Sequence, residues 1–340
     1  MLNVNRFNLD ALYMGGYNSL LLILTGLFLF LYALNRLSEG LKEISGDKMK
    51  RILKRFTHNL FTGIITGLVV TLLLDSSSAV IIMTIALVNA QAMSFRQAMG
   101  IVMGANIGTT LSSQIFALNI SEYCAIPLAA GFLLMVLHKS KAYRSIGTVL
   151  FSFGLIFFGL FTMEEAVAPL RNSDYFVSWM HSLDTTWKGV STGAFVTLVI
   201  QSSSATVGMV IGLASTGLIS LKGGIAVMLG AELGTCSDTL LATIGRSRQA
   251  IRTGLFHLFF NIVTIFLGVM FISVFTSLVL SISGNAVIQQ KIANAHMLFN
   301  TFGVILLAPF APLMERLMGT IVPDKIMSGS SQNTIEIKEA

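Results

Sequence analysis

Charge is what this sequence lacks most. Acidic and basic residues make up 11% of its 340 positions and hydrophobic residues 54%, where an ordinary soluble domain is about 25% charged. No water-soluble fold can hide that much apolar surface. Charge-free runs cover residues 11–35, 76–95, 97–121, 189–221, 253–290 and 292–314, and each is long enough to cross the roughly 30 Å hydrocarbon layer as a helix. The shortage of charge also excludes a nucleic-acid binder, because the net charge of +6 comes from few residues clustered in short segments between hydrophobic runs, as cytoplasmic loops require. Cysteine is nearly absent: Cys124 and Cys236, both in apolar surroundings, give neither a disulfide framework nor the spacing of a metal site. The N-terminus gives no help with targeting, since Asn3, Arg6 and Asp10 precede a hydrophobic stretch that runs on without a small-residue cleavage site, so the first helix is expected to stay in the mature protein.

What is present is a repeat. Residues 62–113 align without a gap on 188–239, an offset of 126, with 18 of 52 positions identical. Small and polar matches carry the argument: Gly63/Gly189, Thr66/Thr192, Gly67/Gly193, Thr71/Thr197, Ser76-Ser77-Ser78/Ser202-Ser203-Ser204, Gly104/Gly230, Gly108/Gly234 and Thr109/Thr235. Upstream, Gly26-Leu27-Phe28 pairs with Gly154-Leu155-Ile156. Each unit therefore reads as a spanning helix, a segment centred on three serines, a Gly-rich helix and a further span.

The run 189–221 would be about 50 Å long as one straight helix, and Gln201-Ser202-Ser203-Ser204 sits near its middle. A re-entrant hairpin explains both features, with an irregular tip near the midplane where it lines a cavity or is buried in protein. The expected hairpins are 59–92 and 188–221. A tilted span with serines bonded back to the preceding turn is the alternative reading. If the hairpins do not cross, seven spans remain, at 19–36, 97–118, 123–138, 145–163, 223–243, 253–282 and 292–314, and seventeen basic residues fall on one side against five on the other. That split places the C-terminus in the cytoplasm and the N-terminus outside, in a multi-pass plasma (inner) membrane protein. The expected fold is all-α and polytopic, with inverted-topology repeats, each carrying a re-entrant hairpin and an unwound transmembrane helix. Its parts are an outer N-terminal segment (1–18), repeat 1 (19–140), inverted repeat 2 (141–283), a C-terminal span (284–323) and a cytoplasmic tail (324–340).

In each hairpin the second arm begins at the serines, so Ser76–Ser78 and Ser202–Ser204 cap helix N-termini. Free N–H groups, hydroxyls and the positive ends of two helix dipoles favour an anion. The hairpin cores contain no arginine or lysine, which suits a site that must release its ligand in every cycle. The stretches Gly104–Thr110 and Gly230–Cys236 suit unwound segments whose oxygens coordinate a hard cation, although glycines in membrane helices also serve close packing.

The tip Gln201-Ser202-Ser203-Ser204-Ala205, its variant Asp75-Ser76-Ser77-Ser78-Ala79, Gly-Ala-Asn-Ile-Gly-Thr at 104–109 and His-x-x-Phe-Asn at 296–300 resemble the type II sodium-dependent phosphate cotransporters over roughly residues 19–315. The resemblance implies a sodium-coupled phosphate symporter working by alternating access, with sodium as the coupling ion and no other cofactor. It assigns Ser76, Ser77, Ser78, Gln201, Ser202, Ser203 and Ser204 to the anion, and Asn106, Thr109, Thr110 and Thr235 to cations. Three positions depart from the family pattern: Asp75 stands for a glutamine, Glu232 for an asparagine, and Asp238 lies one turn later. Acids near the midplane need a cation or a proton, so Asp75, Glu232 and Asp238 join the expected cation-binding set.

His257 and Asn261, like His296 and Asn300, lie one turn apart and are expected to support the site by bonding neighbouring helices. The basic stretch Arg36–Arg55 reads as a topology anchor. A sodium- or proton-coupled carrier of another small anion is the alternative. A channel, and an intramembrane serine hydrolase using Ser203 or Ser77 with His257 or His296, rank behind it; no Gly-x-Ser-x-Gly elbow is present. The expected partners are phosphate or a similar anion, sodium and the lipid bilayer, with room for a homodimer.

Overall fold

The computed structural model describes residues 16–118, 120, 123–167, 169–170 and 173–324. Most of the expected N-terminal segment and cytoplasmic tail lies outside them, as do Arg6, Arg171, Lys325 and Lys338 of the charge count. All regular structure among the described residues is helical. In chain order the helices are α1 (Gly16–Phe56), α2 (Leu60–Leu74), α3 (Ser77–Asn89), α4 (Phe95–Phe116), α5 (Ala125–Leu137), α6 (Lys141–Val167), α7 (Asp174–Ser182), α8 (Thr186–Ile200), α9 (Ser203–Ser215), α10 (Leu221–Gly234), α11 (Cys236–Leu241), α12 (Arg248–Met270), α13 (Ile272–Ser283), α14 (Ile288–Leu307) and α15 (Ala311–Ile321). A 3-10 turn, Ala308–Phe310, joins the last two.

Four stretches are long and apolar enough to cross a membrane: Ser19–Ile44, Lys141–Val167, Arg248–Met270 and Ile288–Ile321. They match four of the seven expected spans. The run expected to cross at 123–138 is α5, whose 13 residues reach only about 20 Å. The run expected at 253–282 divides at Phe271 into α12 and α13. At the other extreme α1 continues to Phe56, well past the end of its apolar part.

The two serine-centred segments fold as a matched pair of helical hairpins. Their arms are 15 and 13 residues in both copies, about 22 and 20 Å, each short of the bilayer core. The helices that follow start alike, with Ser94 and Ser220 as N-caps of α4 and α10. A Cβ on Gly104 would come within 2.7 Å of the Ile64 carbonyl carbon, and one on Gly230 within 2.7 Å of that of Val190. The first arm of each hairpin therefore lies backbone to backbone against the Gly-rich helix, an approach that only glycine permits.

This packing corrects one expectation. The stretch Gly104–Thr110 does not unwind: α4 runs unbroken through it, because its glycines face α2 and leave the backbone ladder intact. Only the second copy breaks, at Thr235 between α10 and α11.

Contacts at the ends of the helices show how the hairpins enter. The foot of the first hairpin is joined to the starts of α4 and α12 by Gln97 Nε2 donating to the Thr57 carbonyl at 2.6 Å and by the Ser247 amide donating to Asn89 Oδ1 at 2.8 Å. The foot of the second is closed by Ser220 Oγ on Asp184 Oδ1 at 2.6 Å. There α10 begins beside α14, Gly224 lying against Ile292, and α14 in turn meets the far end of α4 through Gln290 and Gln114 at 2.6 Å. The hairpins thus come in from opposite ends of α4.

Candidate functional site

Each tip is built from a C-cap, an N-cap and a free helix end. The chain leaves α2 at Asp75 (φ 49°, ψ 37°) and α8 at Gln201 (φ 59°, ψ 29°), both left-handed, with their amides bonded to Thr71 and Thr197. Among the described residues only one other non-glycine, Gln91, has a positive φ. Such strain at two equivalent non-glycine positions is a mark of a functional turn. Next, Ser76 Oγ accepts from the Ala79 amide and Ser202 Oγ from the Ala205 amide, both at 3.2 Å. These caps leave the first-turn N–H groups of α3 and α9 pointing out of the helix ends.

The two tips face one cavity of about 280 Å³, lined by Asp75, Ser76, Ser77 and Ser78 from one hairpin, Gln201, Ser202, Ser203 and Ser204 from the other, and Thr235 at the helix break. Its volume is at the small end of ligand sites, matching a small ion with some water. Two helix dipoles converge on it with serine hydroxyls between them, a combination that stabilises negative charge. Leu34, Asn35, Ser38, Glu39 and Lys42 of α1 complete the lining. A second cavity of about 690 Å³ shares Asn35, Lys42, Ser76, Ser78, Gln201 and Ser202, and adds Lys50 and Asp238.

All seven residues expected to hold the anion therefore line a single space. Of the expected cation set, Asp75, Thr235 and Asp238 line one or other cavity. Ser112 Oγ donates to Asp75 Oδ1. Asn106, Thr109, Thr110 and Glu232 are buried and line neither cavity: the Thr109 hydroxyl bonds the Ala105 carbonyl at 3.0 Å and that of Thr110 the Ile107 carbonyl at 2.8 Å.

Asn106 and Glu232 instead belong to a buried polar network with the two histidine–asparagine pairs. Asn106 Nδ2 donates to Asn261 Oδ1 at 3.0 Å, while Glu232 Oε1 meets His296 Nε2 at 2.6 Å and Asn300 Nδ2 at 3.3 Å. On the other ring nitrogen, His296 Nδ1 meets Ser113 Oγ at 2.6 Å and His257 Nδ1 meets Thr239 Oγ1 at 2.8 Å. Residues 113 and 239 are 126 apart, as are 106 and 232, so the network repeats with the sequence. Asn261 closes it by donating to the Glu232 carbonyl at 2.8 Å.

Ser113, His296 and Glu232 follow the order of a hydrolytic triad, yet Ser113 is fully buried and lines neither cavity. Neither histidine bonds a tip serine, so no nucleophile–base pair of the kind considered from the sequence is assembled. The sequence reading missed the face of α1, whose signal was a polar spacing: Asn35, Ser38, Glu39 and Lys42 recur at helical i, i+3, i+4, i+7 intervals.

A helical membrane protein in which two copies of one hairpin present serine-capped helix ends to a common polar cavity has the build of a transporter, not of an enzyme. This chain belongs to the Na+/Pi-cotransporter family, which it matches twice, over residues 29–165 and 172–309. It is 29% identical over 308 residues to "Uncharacterized protein YqeW" of Bacillus subtilis (strain 168), covering 90% of this chain and 99% of that one. It is 24% identical over 310 residues to "Putative inorganic phosphate export protein YjbB" of Escherichia coli (strain K12), covering 90% of this chain but 56% of that relative, about half its length. A 105-residue stretch, 30% of this chain and 15% of the relative, is 31% identical to human "Sodium-dependent phosphate transport protein 2B". No solved structure matches the chain.

Proposed function

We propose that this protein is a secondary active transporter of inorganic phosphate, driven by sodium and working by alternating access between two inverted halves. One observation carries the reading: two serine-capped helix N-termini from equivalent hairpins meet at one small cavity. Neutral donors and helix dipoles bind the anion there without holding it too tightly to leave. The names borne by the relatives supply the anion, and they leave the direction of transport open, since one is an exporter by name.

Sodium travels as co-substrate. Thr71 Oγ1, one turn before Asp75, is one of two buried side-chain polar atoms without a hydrogen-bond partner among the described residues. An orphaned oxygen one turn from a carboxylate that Ser112 bonds is a candidate ligand for a hard cation. Asp238 plays the equivalent part in the second copy, and the family likeness adds Asn106, Thr109, Thr110 and Thr235 as cation neighbours. Uptake would need coupling on energetic grounds: carrying two negative charges into a cell at −100 mV costs about 4.6 kcal/mol, at about 2.3 per charge.

The basic residues support a cytoplasmic C-terminus. Uptake of labelled phosphate into proteoliposomes, with and without a sodium gradient imposed in each direction, tests the proposal. Accumulation that ignores sodium in both directions would sink the coupling. Orientation is checked by cysteines at Ser140 and Ser247 in a background without Cys124 and Cys236, both expected to react from the cytoplasmic side alone; the outer probe site, Asn172, lies outside the described residues.

A further inference from the structure

The hairpins furnish two walls of the substrate cavity, and α1 furnishes the third. Its stripe Asn35, Ser38, Glu39 and Lys42 lies along the cavity, fixed in place where Ser38 Oγ bonds the Leu74 carbonyl at 3.3 Å, on the last turn before the first tip. Lys42 is the sole cationic side chain in that lining, and it also lines the wider cavity, where Lys50, two turns further along the helix, joins it. The acids nearest to Lys42 on α1 are engaged elsewhere: Glu39 pairs with Arg36 at 2.9 Å, and Glu43 accepts from Ser145 Oγ at 2.8 Å. None of the described carboxylates forms an ion pair with Lys42. An ammonium at the rim of an anion site, without a carboxylate of its own, is available to the ligand.

We propose that Lys42 is a substrate-binding residue that supplies the positive charge missing from the hairpins, and that Lys50 marks the route by which the phosphate group reaches it from the α1 side. The inference rests on the phosphate reading of the tips. Lysine suits this task better than arginine within a hairpin would, because a flexible point charge at the rim attracts a doubly charged ion without the rigid two-pronged grip that would slow its release. Free phosphate and a phospholipid headgroup offer the same chemistry to a lysine at this depth, so the experiment has to separate them.

Phosphate transport is measured in proteoliposomes for the unaltered protein and for Lys42→Met, Lys42→Arg and Lys54→Met, the last being a basic residue of α1 outside both cavities. Each is reconstituted in uncharged phosphatidylcholine and in vesicles containing anionic lipid. Lys42→Met is expected to raise KM for phosphate on the order of tenfold, the loss of one charge-assisted contact, with maximal rate and sodium dependence retained. Lys42→Arg should recover most of the affinity, Lys54→Met should behave as the unaltered protein, and the pattern should be the same in both lipids. An unchanged KM in Lys42→Met beside a transporting parent overturns this inference alone. A defect confined to anionic vesicles assigns Lys42 to headgroups and also overturns it. Absence of phosphate transport in the parent overturns the phosphate reading and this inference together.

Discussion

Glu232 Oε1 lies 2.6 Å from His296 Nε2, with both side chains buried. The contact ties α10 to α14, and through Ser113 on the opposite ring nitrogen to α4, so one imidazole joins helices of both repeat copies. In the equivalent place the first copy has Asn106, whose partner is a neutral amide. His296→Ala would take from the buried Glu232 its shortest hydrogen-bond partner, a loss of about 1–3 kcal/mol. It should lower the melting temperature in detergent sharply. Glu232→Asn, which installs the residue of the other copy, should cost less, and adding it to His296→Ala should restore part of the loss. A His296→Ala protein that melts with its parent would remove the pair from the stability of the bundle.

The tips can be separated into cap and ligand residues. Ser76 and Ser202 accept from helix amides, so alanine at either position should cost about 1 kcal/mol of stability as well as transport. Ser77 and Ser203 have no such duty, and Ser77→Ala or Ser203→Ala should cut phosphate transport by on the order of tenfold or more while melting unchanged. Full transport by both variants would move the anion site away from the tips.

The glycine contacts predict a symmetry of damage. Gly104→Ala and Gly230→Ala each push a methyl group into the carbonyl of the first hairpin arm, at Ile64 and Val190. Overpacking of that kind costs about 1–3 kcal/mol, and the two variants should lose similar amounts of stability. Gly217→Ala is not a control, since its φ of 76° adds strain of its own. A harmless alanine at position 104 would mean that α2 and α4 are further apart than described.

The repeat and the tips were legible in the sequence because they rest on local chemistry: serines at a helix start cap it, and matches at an offset of 126 include residues that hydropathy alone does not select. The Gly-rich stretches were not, since two glycines one turn apart serve equally to break a helix or to let a neighbour approach. The neighbour decides, and it lies some forty residues away. Lys42 was hidden for the same reason. Its place among other basic residues reads as a membrane anchor, and only the packing of α1 against the tips turns that face inward. The division at Phe271 has no glycine or proline at the break, and nothing in the structure explains it.

The acids at the tips are exchanged between the copies, and this yields the sharpest test. Asp75 corresponds to Gln201, and Ser112, which donates to Asp75, corresponds to Asp238. Each copy therefore holds one carboxylate and one neutral partner, with the carboxylate on the hairpin in the first and on the short helix α11 in the second. Asp238 and Gln201 line the same cavity. If the carboxylate serves to hold a sodium ion beside the tip, its charge matters more than the backbone that carries it. Asp75→Gln should then weaken the apparent sodium affinity on the order of tenfold while phosphate transport persists at high sodium. Asp75→Gln combined with Ser112→Asp, which gives the first copy the arrangement of the second, should recover it. A double variant no better than Asp75→Gln would tie the function to the hairpin carboxylate itself. Unchanged sodium dependence in Asp75→Gln together with a lost pH dependence would make Asp75 a proton carrier, because a proton, unlike sodium, needs no second oxygen from Ser112 to be held.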